Sequence, residues 1–72
     1  MKKPYYLKVL VSYVNMLSYE RNSCNCRVAY EYPQINMLFA LHDVITTFYA
    51  ENQGADIINI YVLENHLYKE GE

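Results

Sequence analysis

The chain has 72 residues, 53% of them hydrophobic, with nine Tyr, two Phe and no Trp, and a formal charge of −2. That length allows one domain, spanning 1–72, whose core supplies only about 3–5 kcal/mol of net stability, and its hydrophobicity excludes a disordered chain. No apolar run nears the roughly 20 residues of a membrane span, two cysteines exclude a dense disulfide scaffold, and the acidic balance argues against nucleic acid as a partner.

The first stretch with a clear period runs from Tyr5 to Tyr19. Tyr5, Leu7, Val9, Val11, Tyr13 and Leu17 fall on one side, and Tyr6, Lys8, Leu10, Ser12, Val14, Met16 and Ser18 on the other. A period of two over β-branched and aromatic residues predicts a strand. The basic start, Lys2-Lys3-Pro4, leads into a segment interrupted by Lys8, Ser12 and Asn15, which is not the composition of a secretory leader. Glu20-Arg21-Asn22-Ser23 reads as a polar turn. Alternation resumes from Cys24 to Tyr32, with Cys24, Cys26, Val28, Tyr30 and Tyr32 against Asn25, Arg27, Ala29 and Glu31, so the two strands predict an antiparallel hairpin.

Pro33 closes that strand and suits the first turn of a helix. From Gln34 the period becomes 3.6: Ile35, Met37, Leu38, Leu41, Val44, Ile45 and Phe48 share an arc, with Tyr49 and His42 at its edge. Asn36, Phe39, Ala40, Asp43, Thr46, Thr47, Ala50 and Glu51 fall outside it. Asn52-Gln53-Gly54 ends the helix, with Gly54 suited to the left-handed closing position. Asp56 to Leu63 predicts a third strand, its sides being Ile58, Ile60 and Val62 against Ile57, Asn59, Tyr61 and Leu63. The tail from His66 to Glu72 is polar and expected to fray. The order is β-β-α-β, an α+β fold in which a three-stranded antiparallel sheet carries one helix on a face.

One helix cannot cover two apolar sheet faces, so this layout has surplus apolar surface. Tyr6, Leu10, Ile57 and Tyr61 are the candidate residues of a homodimer interface. Phe39, among polar neighbours on the helix, is a candidate partner contact. Residues 28–68 hold Glu31, Asp43, Glu51, Asp56 and Glu64 with no Lys or Arg, a negative surface that suits a basic protein groove. Glu31 is expected to share a strand face with Arg27, which offers it an ion-pair partner.

Chemical motifs are sparse. Cys24, Cys26, His42 and His66 supply the ligand count of a zinc site, but Cys-x-Cys lacks zinc-finger spacing, so no metal, no cofactor and no disulfide are expected. His42 and Asp43 diverge by about 100° on the helix, and no nucleophile stands beside a base, so no catalytic residues are assigned and the protein is not expected to be an enzyme.

Ser12-Tyr13 ahead of Met16-Leu17, then Tyr30-Glu31-Tyr32, Tyr49 and Ala55-Asp56-Ile57-Ile58, in the order strand–strand–helix–strand, resemble the small dimeric phage-encoded inhibitors of uracil-DNA glycosylase. The resemblance implies a DNA mimic that acts in the host cell cytoplasm, binds no nucleic acid or membrane, and blocks the enzyme's DNA-binding groove as a homodimer. It further implies that Glu31 stands in for a DNA phosphate and that Tyr49 closes the partner-binding helix. The pocket position one turn earlier is Ile45, not an aromatic, which leaves Phe39 or Phe48 to line the pocket. Another phage counter-defence inhibitor, such as one directed at a CRISPR effector, and a small assembly subunit are the alternatives.

Overall fold

The computed structural model describes residues 2–69. It contains β1 (Tyr5–Asn15), β2 (Arg21–Tyr30), α1 (Met37–Glu51) and β3 (Ala55–His66). The strands form one antiparallel sheet in the order β2-β1-β3, with β1 central, and α1 lies on one face. The α+β class and the β-β-α-β order are those expected from the sequence.

Alternation along β1 divides the sheet. Leu7, Val9 and Val11 are fully buried beneath the helix and pair with Val28, Cys26 and Cys24 of β2. Ala40, Val44 and Phe48 of α1 and Leu67 complete this core, with Tyr13, Tyr30, Met37, Leu41, Ile57 and Ile60 packed around it. Each large side chain so buried contributes about 1.5–3 kcal/mol.

Several boundaries differ from expectation, each for a local reason. β1 stops at Asn15, not Tyr19, because the Asn15 Oδ1 accepts hydrogen bonds from the N–H groups of Leu17 and Ser18 and folds the chain into a tight turn. Tyr19 completes that turn at φ 60, and β2 therefore begins at Arg21. The helix starts at Met37 because Asn36 is its cap: the Asn36 side chain accepts from the Leu38 N–H at 2.9 Å. Pro33, Gln34 and Ile35 stay outside. The tail does not fray at its start: Leu67 is 1% exposed. Its N–H donates to the Asn65 side chain, and its carbonyl accepts from Gln34. Residues 70–72, also expected to fray, lie outside the described residues.

Two shifts in the β1–β3 register have the largest effect on the surface. Lys8 pairs with Glu64 but Val9 with Val62, and Ser12 pairs with Asn59 but Tyr13 with Ile57. Leu63 and Ile58 are thus extra residues at bulges. Simple alternation puts Ile57 beside Tyr61. The bulge instead places Ile57, Ile60 and Val62 on the helix-covered face, and leaves Asp56, Asn59, Tyr61, Glu64 and His66 on the open face. Ile57 packs against the core, so it is not available to an interface on the open face.

Candidate protein-binding surface

The helix sits rotated from the arc that periodicity alone selects. Its buried stripe is Met37, Ala40, Leu41, Val44 and Phe48, spaced three, one, three and four residues apart. Ala40, expected outside the arc, is fully buried, while Ile35 and Leu38, expected inside it, are 94% and 70% exposed. Two tyrosines fix this rotation. On the flank toward β2, the Tyr30 hydroxyl donates to the Asp43 carboxylate. On the flank toward β3, the Tyr49 hydroxyl donates to Asp56 Oδ1 at 3.1 Å and accepts from the Ile57 N–H at 3.0 Å. Burial, with the Asp43 carboxylate beside it, pushes the Tyr30 phenol well above its ordinary range.

Among the partner-contact candidates, Phe39 is 65% exposed near the helix start. Ile45 is half-buried on the β3 flank. Tyr49 is 38% exposed with its hydroxyl engaged. Phe48 is a correction: it is 2% exposed, with its ring 5.0 Å from that of Tyr13 and 5.7 Å from that of Tyr49. It is a core residue and cannot line a surface pocket, because it lies at the centre of the buried stripe. Of the two aromatic alternatives, Phe39 is the one at the surface.

Glu31 lies in the bend that follows β2, half-buried. It makes no ion pair among the described residues, where the single pair joins Lys8 and Glu64 at 3.7 Å. Arg27, its expected partner, stacks over the Tyr6 ring instead, 4.5 Å from the centroid.

The open face of the sheet is more polar than expected. Tyr6 is 9% exposed: Arg27 stacks on its ring, His66 sits 4.9 Å away, and its hydroxyl donates to Glu64 at 3.2 Å. Burial and the Glu64 carboxylate raise the Tyr6 phenol, against a smaller lowering by Arg27. Leu10 is half-buried between its cross-strand neighbours Asn25 and Tyr61. Around them stand Lys8, Arg21, Arg27, Asn59 and Asp56, so Leu10 and Tyr61 form a narrow apolar strip in polar surroundings. The surplus apolar surface lies elsewhere: Ile35, Leu38 and Phe39 at the helix start, Ile58, Val62 and Leu63 along β3, and Met16, Leu17 and Tyr19 at the hairpin tip. The signal for the first group was Asn36, a strong cap that starts the helix too late for Ile35 to join its buried arc.

The four candidate zinc ligands do not come together. Cys24 and Cys26 lie on the helix-covered face of β2, His66 stacks on Tyr6 on the opposite face, and His42 is exposed on α1. The two sulfurs approach to 3.9 Å. Burial, the adjacent Cys24 and then Glu51 push the Cys26 thiol up to about 11, which keeps it protonated and unreactive at neutral pH. No helix among the described residues is long and apolar enough to cross a membrane.

The helix layer carries charge of one sign. Asp43 and Glu51 stand on the exposed part of α1, Glu31 at the bend leading to it, and the sequence from 28 to 68 has no basic side chain to offset them. Lys8, Arg21 and Arg27 belong to the open face of the sheet, which they share with Asp56 and Glu64. Compared with known proteins, the chain matches no family model, no curated protein and no solved structure.

Proposed function

We propose that the protein is a non-enzymatic inhibitor, a phage DNA mimic that acts as a homodimer in the host cytoplasm and occupies the DNA-binding groove of uracil-DNA glycosylase. The observation that carries this reading is the juxtaposition on the helix layer. The Asp43 carboxylate lies one helical turn beyond Phe39, and Glu31 precedes the helix, beside an exposed apolar group containing Ile35, Leu38 and Phe39; Glu51 adds charge at the far end of α1. A groove that binds duplex DNA presents cationic donors for phosphates and apolar side chains that wedge between bases. A surface with fixed carboxylates beside exposed apolar side chains complements both. The negative charge speeds encounter, and the apolar contacts hold the complex. Inhibition by occupancy needs no catalytic group.

Titrating the protein into a uracil-DNA glycosylase assay with a uracil-containing oligonucleotide tests this reading. Stoichiometric loss of uracil release, with an association rate that falls as salt rises, supports it. Unchanged release at a large molar excess overturns it.

A further inference from the structure

We propose that Cys24 and Cys26 form a two-thiol site for a soft monovalent metal ion, copper(I), at the outer edge of the sheet. The two residues occupy alternate positions of β2 and pair with Val11 and Val9 of β1, so both side chains stand on the helix-covered face. Same-face neighbours on a strand are about 6.7 Å apart along the backbone, and side chains standing straight off it would keep their sulfurs that far apart. The Cys24 and Cys26 sulfurs lean together to 3.9 Å instead. Both thiols are free and half-buried, and they lie at the rim of the core, not inside it. β2 is an edge strand whose neighbour in the sheet is β1 alone, so no strand covers the outer side of the pair.

The separation suits a metal. At a metal–sulfur distance of about 2.3 Å, the 3.9 Å separation subtends about 116° at the ion, near the trigonal angle. An ion therefore seats between the sulfurs almost where they stand, with a third position left toward the open edge for water or a free thiol. The donor set names the ion, because soft thiolate ligands select copper(I) over hard cations. Zinc also takes sulfur but requires a fuller, tetrahedral set. Among the described residues no third His, Cys, Asp or Glu joins this pair as a ligand. Copper(I), with its closed d shell, accepts lower coordination. Sequence spacing argued against a zinc finger here; it does not bear on a site of two sulfurs.

Binding displaces one proton from each thiol to solvent and forms two copper–sulfur bonds; copper stays in the +1 state and no electron moves. The raised Cys26 thiol holds its proton until a metal displaces it, which spares it from oxidation in the meantime. The Glu51 carboxylate, on the last residue of α1, is close enough to act on Cys26 and adds to the negative potential that a cation meets there. Neither cysteine belongs to the surface proposed to meet the glycosylase, so this site is tested separately from that reading.

Anaerobic titration with the acetonitrile complex of copper(I), in competition with a chromogenic copper(I) chelator, tests this. The parent is expected to take up one ion per chain and to gain a thiolate-to-copper absorption band in the ultraviolet. Cys24→Ser and Cys26→Ser are each expected to weaken uptake at least about tenfold and to lose most of the band, with circular dichroism verifying the fold. Cys24→Ala and Cys26→Ala, which introduce no hydroxyl beside the core, give the same comparison if a serine variant unfolds. His42→Ala, on the exposed part of α1, is expected to change nothing, and zinc chloride is expected not to displace the copper. A parent that draws no copper from the chelator overturns the site. Uptake that survives both cysteine substitutions overturns it too, because the ion then sits elsewhere, and displacement by zinc overturns the assignment to a soft monovalent ion.

Discussion

The two phenylalanines of α1 should respond to truncation in opposite ways. Phe48 is 2% exposed at the centre of the helix–sheet core, in contact with the rings of Tyr13 and Tyr49. Replacing a buried Phe by Ala costs about 3–5 kcal/mol, from lost transfer energy and the cavity left behind. A chain of this size holds only about 3–5 kcal/mol in total, so Phe48→Ala should be largely unfolded at 25 °C. Phe48→Leu keeps most of the volume and loses the ring contacts. It should cost about 1–2 kcal/mol, with a melting temperature lower by roughly 4–8 °C per kcal/mol. Phe39 is 65% exposed, so Phe39→Ala should stay within about 0.5 kcal/mol of the parent yet inhibit the glycosylase more weakly. Urea titrations followed by circular dichroism, all at one protein concentration because a dimer's stability depends on it, give the first comparison. The inhibition assay gives the second. A Phe48→Ala variant with the parent's midpoint would falsify the placement of Phe48 at the core. A Phe39→Ala variant that unfolds would show that Phe39 is structural.

Three further outcomes follow from individual contacts. Glu31→Gln removes charge without changing shape; thermal stability should hold while target binding weakens at least about tenfold, equivalent to about 1.4 kcal/mol, and equal binding would end the phosphate-mimic role. Tyr49→Phe deletes the hydroxyl that ties α1 to Asp56 and Ile57, and should lower stability by about 1 kcal/mol in a urea titration, whereas no change would mean that water replaces it without loss. In alkali, Cys26 and Tyr30 hold their protons more tightly folded than unfolded, because both are raised. The Cys26 contribution is complete below the ordinary thiol value of 9.0 and is lost as pH rises through about 11, whereas that of Tyr30 is complete below the ordinary phenol value of 10.0 and is lost only at higher pH still. The urea midpoint should fall across that window, less steeply in Cys26→Ala, and a flat profile in the parent would contradict the burial of these groups.

The sequence alone determined the element types and their order. Alternation over Tyr5–Val14 and Cys24–Tyr30 admits a strand and nothing else, and the change to a 3.6 period after Pro33 marks the helix. These signals are local, because backbone geometry sets them residue by residue. Gly54, at φ 85, was legible for the same reason: a left-handed closing position strains any residue with a Cβ.

Tertiary contacts decided which faces are free. Bulges at Ile58 and Leu63 arise from pairing with β1, and no period-two pattern within β3 reveals them, so Ile57 moved from the expected interface to the core. The rotation of α1 depends on Tyr30 reaching Asp43 and Tyr49 reaching Asp56, contacts between residues distant enough in sequence that a helical wheel cannot weigh them. That rotation exposed Leu38 and buried Ala40. Arg27 chose the Tyr6 ring over Glu31 for a similar reason. The β1–β2 register sets it diagonally across from that ring, while the chain bends away after Tyr30 and takes Glu31 out of the strand. Hydrophobic pattern thus sets what kind of element a segment becomes, whereas the side of it that faces solvent depends on register and on a few polar contacts made across the fold.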